Sequence, residues 1–177
     1  MKNAHCSHCG APFPHLNPKW VEHKCTSCGG FTWNNPAPVG VMLIPLVNKG
    51  LEPAPFVGVL GIRRGEEPGK GELALPGGHL EAWESWQEGS AREVREEIKI
   101  AMTDKEVELF NVISTQNNYL IVFSTCKPRS HDIVKGFVPN HEVEELVILK
   151  EPVELTFPSH TQALEEFFER NKGKVRW

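Results

Sequence analysis

Residues 77–100 read GGHLEAWESWQEGSAREVREEIKI, a glycine-rich loop running directly into a highly charged helix. Ser85 followed by Glu88 is a capping-box pair: the serine oxygen takes one of the helix's orphan amides, and the glutamate returns to the serine amide. From there Trp86, Ser90, Ala91, Val94 and Ile98 recur at helical spacing, with charge elsewhere, so the helix is expected to pack one face on a sheet. Glu93 and Glu97 lie about 40° apart around such a helix and Glu96 about 60° from Glu93, which puts all three on one flank. Three like charges this close repel. Hard oxygen ligands suit Mg²⁺ or Mn²⁺, which would relieve the repulsion and bridge to a phosphate. A solvated Glu/Arg face, held by pairs such as Glu88 and Arg92, is the other reading of the helix alone.

Outward from this stretch the chain alternates apolar runs with turn material. Residues 39–47 and 56–63 are β-branched and apolar runs separated by the turn-forming 48–55, and predict two strands. Residues 72–75 predict a short strand that stops at Pro76, with a loop expected at Gly77-Gly78. Further strands are predicted at 107–114, 119–125 and 145–149, and a second helix at 161–170 with Leu164, Phe167 and Phe168 as its apolar stripe. Helices on a mixed sheet follow. Asn34-Asn35-Pro36-Ala37-Pro38 reads as a linker, because prolines two apart disfavour both helix and central strand. It divides the chain into segments 1–34 and 35–177.

The first segment carries Cys6, Cys9, Cys25 and Cys28, two pairs at the spacing of zinc-binding turns. Four thiolates close a tetrahedral site and leave no position for a substrate water, so the expected role is structural. With few large apolar side chains here, zinc binding would supply most of the folding free energy. His5, His8, His15 and His23 lie nearby and are expected to be solvated or outside the ligand set. Lys2, Lys19 and Lys24 stand against Glu22, a weak positive balance for nucleic acid. Cys126 sits alone in an apolar run and reads as a buried, inert thiol.

Over its 177 residues the chain carries 19 basic and 23 acidic side chains, a net charge of -4, which argues against nucleic acid held by a basic surface. The apolar run 39–47, broken by Gly40 and Pro45, falls well short of the roughly 20 residues of a membrane helix. The N-terminus lacks the apolar core of a secretory signal, so a reducing cytoplasm is expected for the cysteines.

The order Gly78, Glu84, then Arg92-Glu93-Val94-Arg95-Glu96-Glu97 and the aliphatic Ile100 resembles the signature box of Nudix hydrolases. Two positions depart from it. Lys99 stands where the family usually has glycine, and is expected to alter how the helix ends while leaving the carboxylates in place. Trp83 stands where many members have glycine. A four-cysteine ribbon ahead of an Asn-Pro linker, and Phe157-Pro158-Ser159-His160 before the last helix, are similar to the bacterial Nudix proteins that bear a zinc ribbon. The resemblance implies an α/β fold, an α/β/α sandwich with a mixed sheet, preceded by a small zinc ribbon. It further implies cleavage of a diphosphate linkage by a water attacking phosphorus.

Position by position, the resemblance makes Glu93, Glu96 and Glu97 ligands of Mg²⁺ or Mn²⁺, with the Gly77 carbonyl as a further ligand. Glu93, or Glu142 in the loop 140–145, becomes the acceptor of the water proton, and Arg92 the residue that orients the carboxylates, through Glu84. Arg63 and Arg64 end a strand before the loop and are candidates for substrate phosphate. Trp83 is the candidate for stacking on a base. The Ser-Gln-Pro-Trp-Pro-Phe-Pro type motif of NADH-cleaving members has no counterpart in Ser114-Thr115-Gln116-Asn117-Asn118-Tyr119. ADP-ribose or a similar nucleoside diphosphate derivative is therefore the expected substrate. A nucleoside triphosphate and a non-catalytic nucleotide sensor are the alternatives. A small nucleotide is the expected partner, with neither membrane nor nucleic acid; a homodimer through the ribbon is compatible with either class.

Overall fold

A computed structural model describes residues 4–14, 22–51 and 53–173. His15, Lys2 and Lys19 lie outside them. The chain divides into two compact units, Met1–Ala37 and Pro38–Trp177.

In the first unit β1 (Glu22–Lys24) and β2 (Phe31–Trp33) form an antiparallel hairpin. Each cysteine pair sits on a tight turn, closed by the Gly10 amide on the Cys6 carbonyl and the Gly29 amide on the Cys25 carbonyl, both at 2.9 Å. Cys6, Cys25 and Phe13 make the small buried cluster of this unit.

In the second unit β3 (Ala37–Leu43) and β4 (Pro45–Val47) are followed by β5 (Phe56–Arg64), β6 (Leu73–Ala74) and β7 (Gly77–His79). Helix α1 (Trp86–Ile98) leads to β8 (Glu108–Ser114), β9 (Tyr119–Thr125), β10 (Arg129–Ser130), β11 (Val143–Leu149) and helix α2 (Pro158–Arg170). One sheet has the order β7-β3-β9-β8. The other runs β10-β4-β5-β11, with β6 also on β5. It is mixed, since β10 runs parallel to β4 while β4, β6 and β11 are antiparallel to β5.

Alternation along β3 divides the core. Met42 and Ile44 join Ala91, Val94 and Ile98 of α1, whereas Val41 and Leu43 join Ala163, Leu164 and Phe167 of α2. Successive strand residues point to opposite faces, so the two helices cover opposite faces, which is the α/β/α layering expected.

Four local expectations change. The run 39–47 is two strands, broken at Ile44, where Pro45 lacks an amide and the chain passes from one sheet to the other. Strand β3 already begins inside the proline segment, and the Pro38 carbonyl accepts the Leu80 amide at 3.1 Å. Gly77-Gly78 is a strand, with Gly77 opposite Val41 and Gly78 opposite Gly40. A Cβ at Gly77 would fall 2.2 Å from the Gly40 carbonyl, and one at Gly78 2.6 Å from the Glu93 carboxylate. These glycines serve close approach rather than looseness. Helix α2 starts at Pro158, since proline fits a first turn whose amides have no partner.

Candidate active site and cysteine cluster

The predicted capping box forms in full: Glu88 N donates to Ser85 Oγ at 3.2 Å and Ser85 N to Glu88 at 2.7 Å. Helix α1 ends on Lys99, whose φ of 57° and ψ of 23° place it in the left-handed region a terminating glycine would occupy. Contrary to the expectation that lysine alters how the helix ends, Lys99 takes the left-handed terminating conformation itself, and its Nζ adds a bond to the Glu96 carbonyl at 2.8 Å. Trp83 is likewise at positive φ, 74°, with its side chain fully exposed. Both departures from the family pattern fall where the backbone itself favours glycine.

Arg92 is the hub of the loop and helix. It grips Glu84 with two bonds, Nε to Oε2 at 3.1 Å and Nη2 to Oε1 at 2.8 Å. It also donates to Glu93 at 2.8 Å, Glu96 at 3.1 Å and the His79 carbonyl at 3.0 Å. This pairing holds the Glu84 carboxyl below its ordinary range. Glu97 lies on the other side, only 8% exposed, and its Oε2 accepts the Gly77 amide at 2.8 Å. Burial pushes its carboxyl up to about 8, against the Gly77 amide and with the help of the Glu93 and Glu142 charges. Burial raises Glu93 too, opposed by Arg92.

Glu93, Glu97 and Gly77 are thus brought together, and Glu142 is near enough for its charge to act on both carboxyls. Glu96 is at the rim, its side chain 59% exposed. The two arginines at the end of β5 diverge. Arg63 turns to Glu145 at 3.0 Å and the Gly71 carbonyl at 2.9 Å. Arg64 donates to the Pro68 carbonyl at 2.7 Å, lies over the Phe157 ring at 5.2 Å, and its charge reaches Glu97.

Two groups were not legible as site neighbours. His160, buried in the first turn of α2, accepts the Leu75 amide on Nδ1 at 3.3 Å just before Gly77; burial pushes its imidazole down to about 3. Asn140 bonds both the Glu97 carbonyl and the Glu142 amide. An Asn two residues before an acid in a loop is the one sequence signal that could have drawn notice.

Hard cations fit this donor set. It is oxygen only and crowded with like charge, and its most buried member has an ionised form that burial disfavours. Arg92 takes Oε1 of Glu93 and Oε2 of Glu96, and Gly77 takes Oε2 of Glu97, so each carboxylate keeps one oxygen without a hydrogen bond among the described residues.

The cysteine unit is a different donor set. The four sulfurs lie within 4.8 Å of one another, and Cys6–Cys28 and Cys9–Cys25 are each 3.7 Å apart. A tetrahedron with bonds of about 2.3 Å to sulfur has edges of about 3.8 Å, so the quartet can hold zinc. The His8 amide points at Cys6 Sγ and the Gly30 amide at Cys28 Sγ, both at 3.4 Å. The His8 ring itself donates to the Phe31 carbonyl at 3.1 Å, and the His23 ring stands edge-on to Phe13 at 4.2 Å. Among the described residues this quartet is the only set of three or more His, Cys, Asp or Glu ligand atoms so close together.

No helix among the described residues is long and apolar enough to cross a membrane. A family profile for the NUDIX domain matches residues 36–176. A NUDIX hydrolase from Nitrosomonas europaea superposes with a TM-score of 0.65 at 20% identity, covering 97% of this chain and 93% of that one. A MutT/nudix family protein from Enterococcus faecalis gives 0.61 at 16% identity, with 79% of this chain covered but only 63% of the other. The NUDIX domain of Shewanella oneidensis NrtR, solved with ADP ribose, gives 0.59 at 16% identity over 78% and 90%. At such identities the structural likeness speaks for the fold, and the profile, spanning most of the chain, speaks for the family. The chain belongs to the NUDIX-domain family of hydrolases.

Proposed function

We propose that this chain is a pyrophosphohydrolase dependent on Mg²⁺ or Mn²⁺, acting on a nucleoside diphosphate joined to a sugar, ADP-ribose or a close relative. The observation that carries the reading is the buried Glu97 carboxylate, anchored by the Gly77 amide beside Glu93 and within reach of the Glu142 charge. In this reading Glu93, Glu96, Glu97 and the Gly77 carbonyl hold the cations. Bound there, divalent cations would neutralise the diphosphate and lower the pKa of an attacking water.

The chain's own groups do the rest. Glu93 or Glu142 takes the proton of the water that attacks phosphorus, and a P–O bond of the diphosphate breaks to give two phosphomonoesters. Arg92 fixes the rotamers of Glu93 and Glu96 and joins them to the loop through Glu84. Arg64, whose charge reaches Glu97 and which pairs with no carboxylate among the described residues, is the better placed of the two arginines for a substrate phosphate, while Arg63 is ion-paired with Glu145. The exposed Trp83 ring is offered to a base. The ADP ribose in the Shewanella oneidensis structure agrees with the substrate reading but belongs to that protein.

The segment 1–34 is, in this reading, a zinc ribbon held by Cys6, Cys9, Cys25 and Cys28, and 35–177 the hydrolase domain. Reduced cysteines in a metal site suit the cytoplasm.

The test is phosphate release, with a coupled phosphatase, from ADP-ribose, NADH, FAD and nucleoside triphosphates in Mg²⁺ or Mn²⁺, for wild type and Glu97→Gln. Turnover of ADP-ribose that the variant loses is expected. Preference for a triphosphate would replace the substrate assignment, and silence of a folded wild type across the panel would favour a nucleotide sensor.

A further inference from the structure

Asn140 joins the two parts of the site that the sequence keeps 43 residues apart. Its Nδ2 donates to the Glu97 carbonyl at 2.8 Å, and its Oδ1 accepts both the Glu142 and the Val143 amides at 2.9 Å. The orientation of this side-chain amide is dictated by its surroundings. The oxygen faces two N–H donors and the nitrogen a carbonyl, so a flipped amide would oppose all three.

The Glu97 carbonyl belongs to the last turn of α1, where carbonyls have no partner within the helix, so Asn140 caps the helix from a remote loop. The loop is pinned again from β5, because the Gly65 amide donates to the Glu142 carbonyl at 2.7 Å. Glu142 therefore has its amide and its carbonyl both fixed, and its side chain is the part left to respond to a ligand. The one basic side chain within ion-pair distance of it among the described residues is the exposed His141 ring, at 3.4 Å.

We propose that Asn140 is a positioning residue, the tie that sets the separation between the Glu142 carboxylate and the Glu93–Glu97 pair. This rests on the reading of those carboxylates as cation ligands and proton acceptor. Partners that orient metal ligands typically govern metal affinity and activity by 10–100-fold. A misplacement of about 1 Å at a reacting centre has similar weight.

Two substitutions separate the tie from the turn. Asn140→Ser keeps an oxygen for the Glu142 and Val143 amides but is too short to reach the Glu97 carbonyl. Asn140→Asp keeps the same acceptor and sets a carboxylate oxygen against that carbonyl. Both are compared with wild type and Glu97→Gln in zinc-loaded protein, by kcat and KM and by Mn²⁺ titration, with free Mn²⁺ read by electron paramagnetic resonance. The expected result for both Asn140 variants is a kcat about 10–100-fold lower, KM within about threefold, and a Mn²⁺ Kd raised about tenfold. Wild-type kcat and Mn²⁺ affinity in both, with Glu97→Gln inactive, would overturn the tie and leave the site standing. A Glu97→Gln protein that itself keeps wild-type turnover and Mn²⁺ affinity would overturn the site reading, and this inference with it.

Discussion

Glu97→Gln should make the magnesium-free protein more stable at pH 8.5 while removing its activity. The folded protein holds the Glu97 carboxyl at about 8, against 4.5 for an ordinary glutamate, chiefly by burial. Between those values the folded state keeps a proton that the unfolded state releases, so stability falls as pH rises from about 4.5 to about 8, and the full penalty applies above that. Moving one carboxyl this far corresponds to about 3–5 kcal/mol. A glutamine keeps an oxygen for the Gly77 amide and never ionises, so it carries none of this pH dependence.

The assay is urea unfolding of zinc-loaded, magnesium-free wild type and variant at pH 5 and 8.5. With a slope of about 2 kcal/mol/M, the midpoints should differ by only about 0.4 M at pH 5 and by about 2 M at pH 8.5, the variant higher. Mg²⁺ at ten times its Kd should then raise the wild type by about 1.4 kcal/mol and leave the variant where it is. Coincident midpoints at both pH values, or a variant less stable than wild type at pH 8.5, would refute the argument that burial of an ionised Glu97 dominates.

His160 acts on the acid side. Its imidazole is held at about 3 by burial, below the ordinary 6.5, so stability is complete above pH 6.5 and declines as pH falls toward 3. His160→Asn, whose oxygen can take the Leu75 amide, should flatten the fall in urea midpoint between pH 6.5 and 4. Trp83→Gly should relieve a left-handed backbone and raise stability by about 0.5–1 kcal/mol. In the same protein KM should rise if the ring stacks on the base; a lower midpoint would contradict the strain, and an unchanged KM the stacking. The cysteine quartet predicts about one zinc per chain by elemental analysis, reduced in Cys28→Ser. Full zinc in that variant would count against the ligand set.

Helix α1 and its carboxylates were legible because the signals are local. A capping box, an apolar stripe and acids at i, i+3 and i+4 each lie within one or two turns, and all three agree on the same helix. Strand β7 was not legible, because a Gly-Gly pair carries no apolar alternation; its pairing depends on Gly40 across the sheet and on Glu93, which only the fold places there. Pro45 marked an interruption in 39–47, but the run is apolar on both sides of it, so nothing in the pattern showed that the chain changes sheets there. His160 and Asn140 act through backbone groups 85 and 43 residues away, a relation with no periodicity to betray it. Lys99 misled because residue identity was weighed where the backbone dihedral was at stake.

The contrast between Gly77 and Arg92 has a consequence for mutational tolerance. The amide that anchors Glu97 belongs to the main chain, so among the twenty residues only proline at position 77 could delete the donor. Every other replacement keeps that donor but brings a Cβ within 2.2 Å of the Gly40 carbonyl, at a φ of 148° that side chains rarely adopt. Arg92 concentrates five bonds in a single guanidinium, to Glu84, Glu93, Glu96 and the His79 carbonyl, which a single nucleotide change can remove together. Saturation libraries should therefore find the carboxylate cradle fragile at both codons for unlike reasons, crowding and backbone strain at 77 and lost hydrogen bonds at 92.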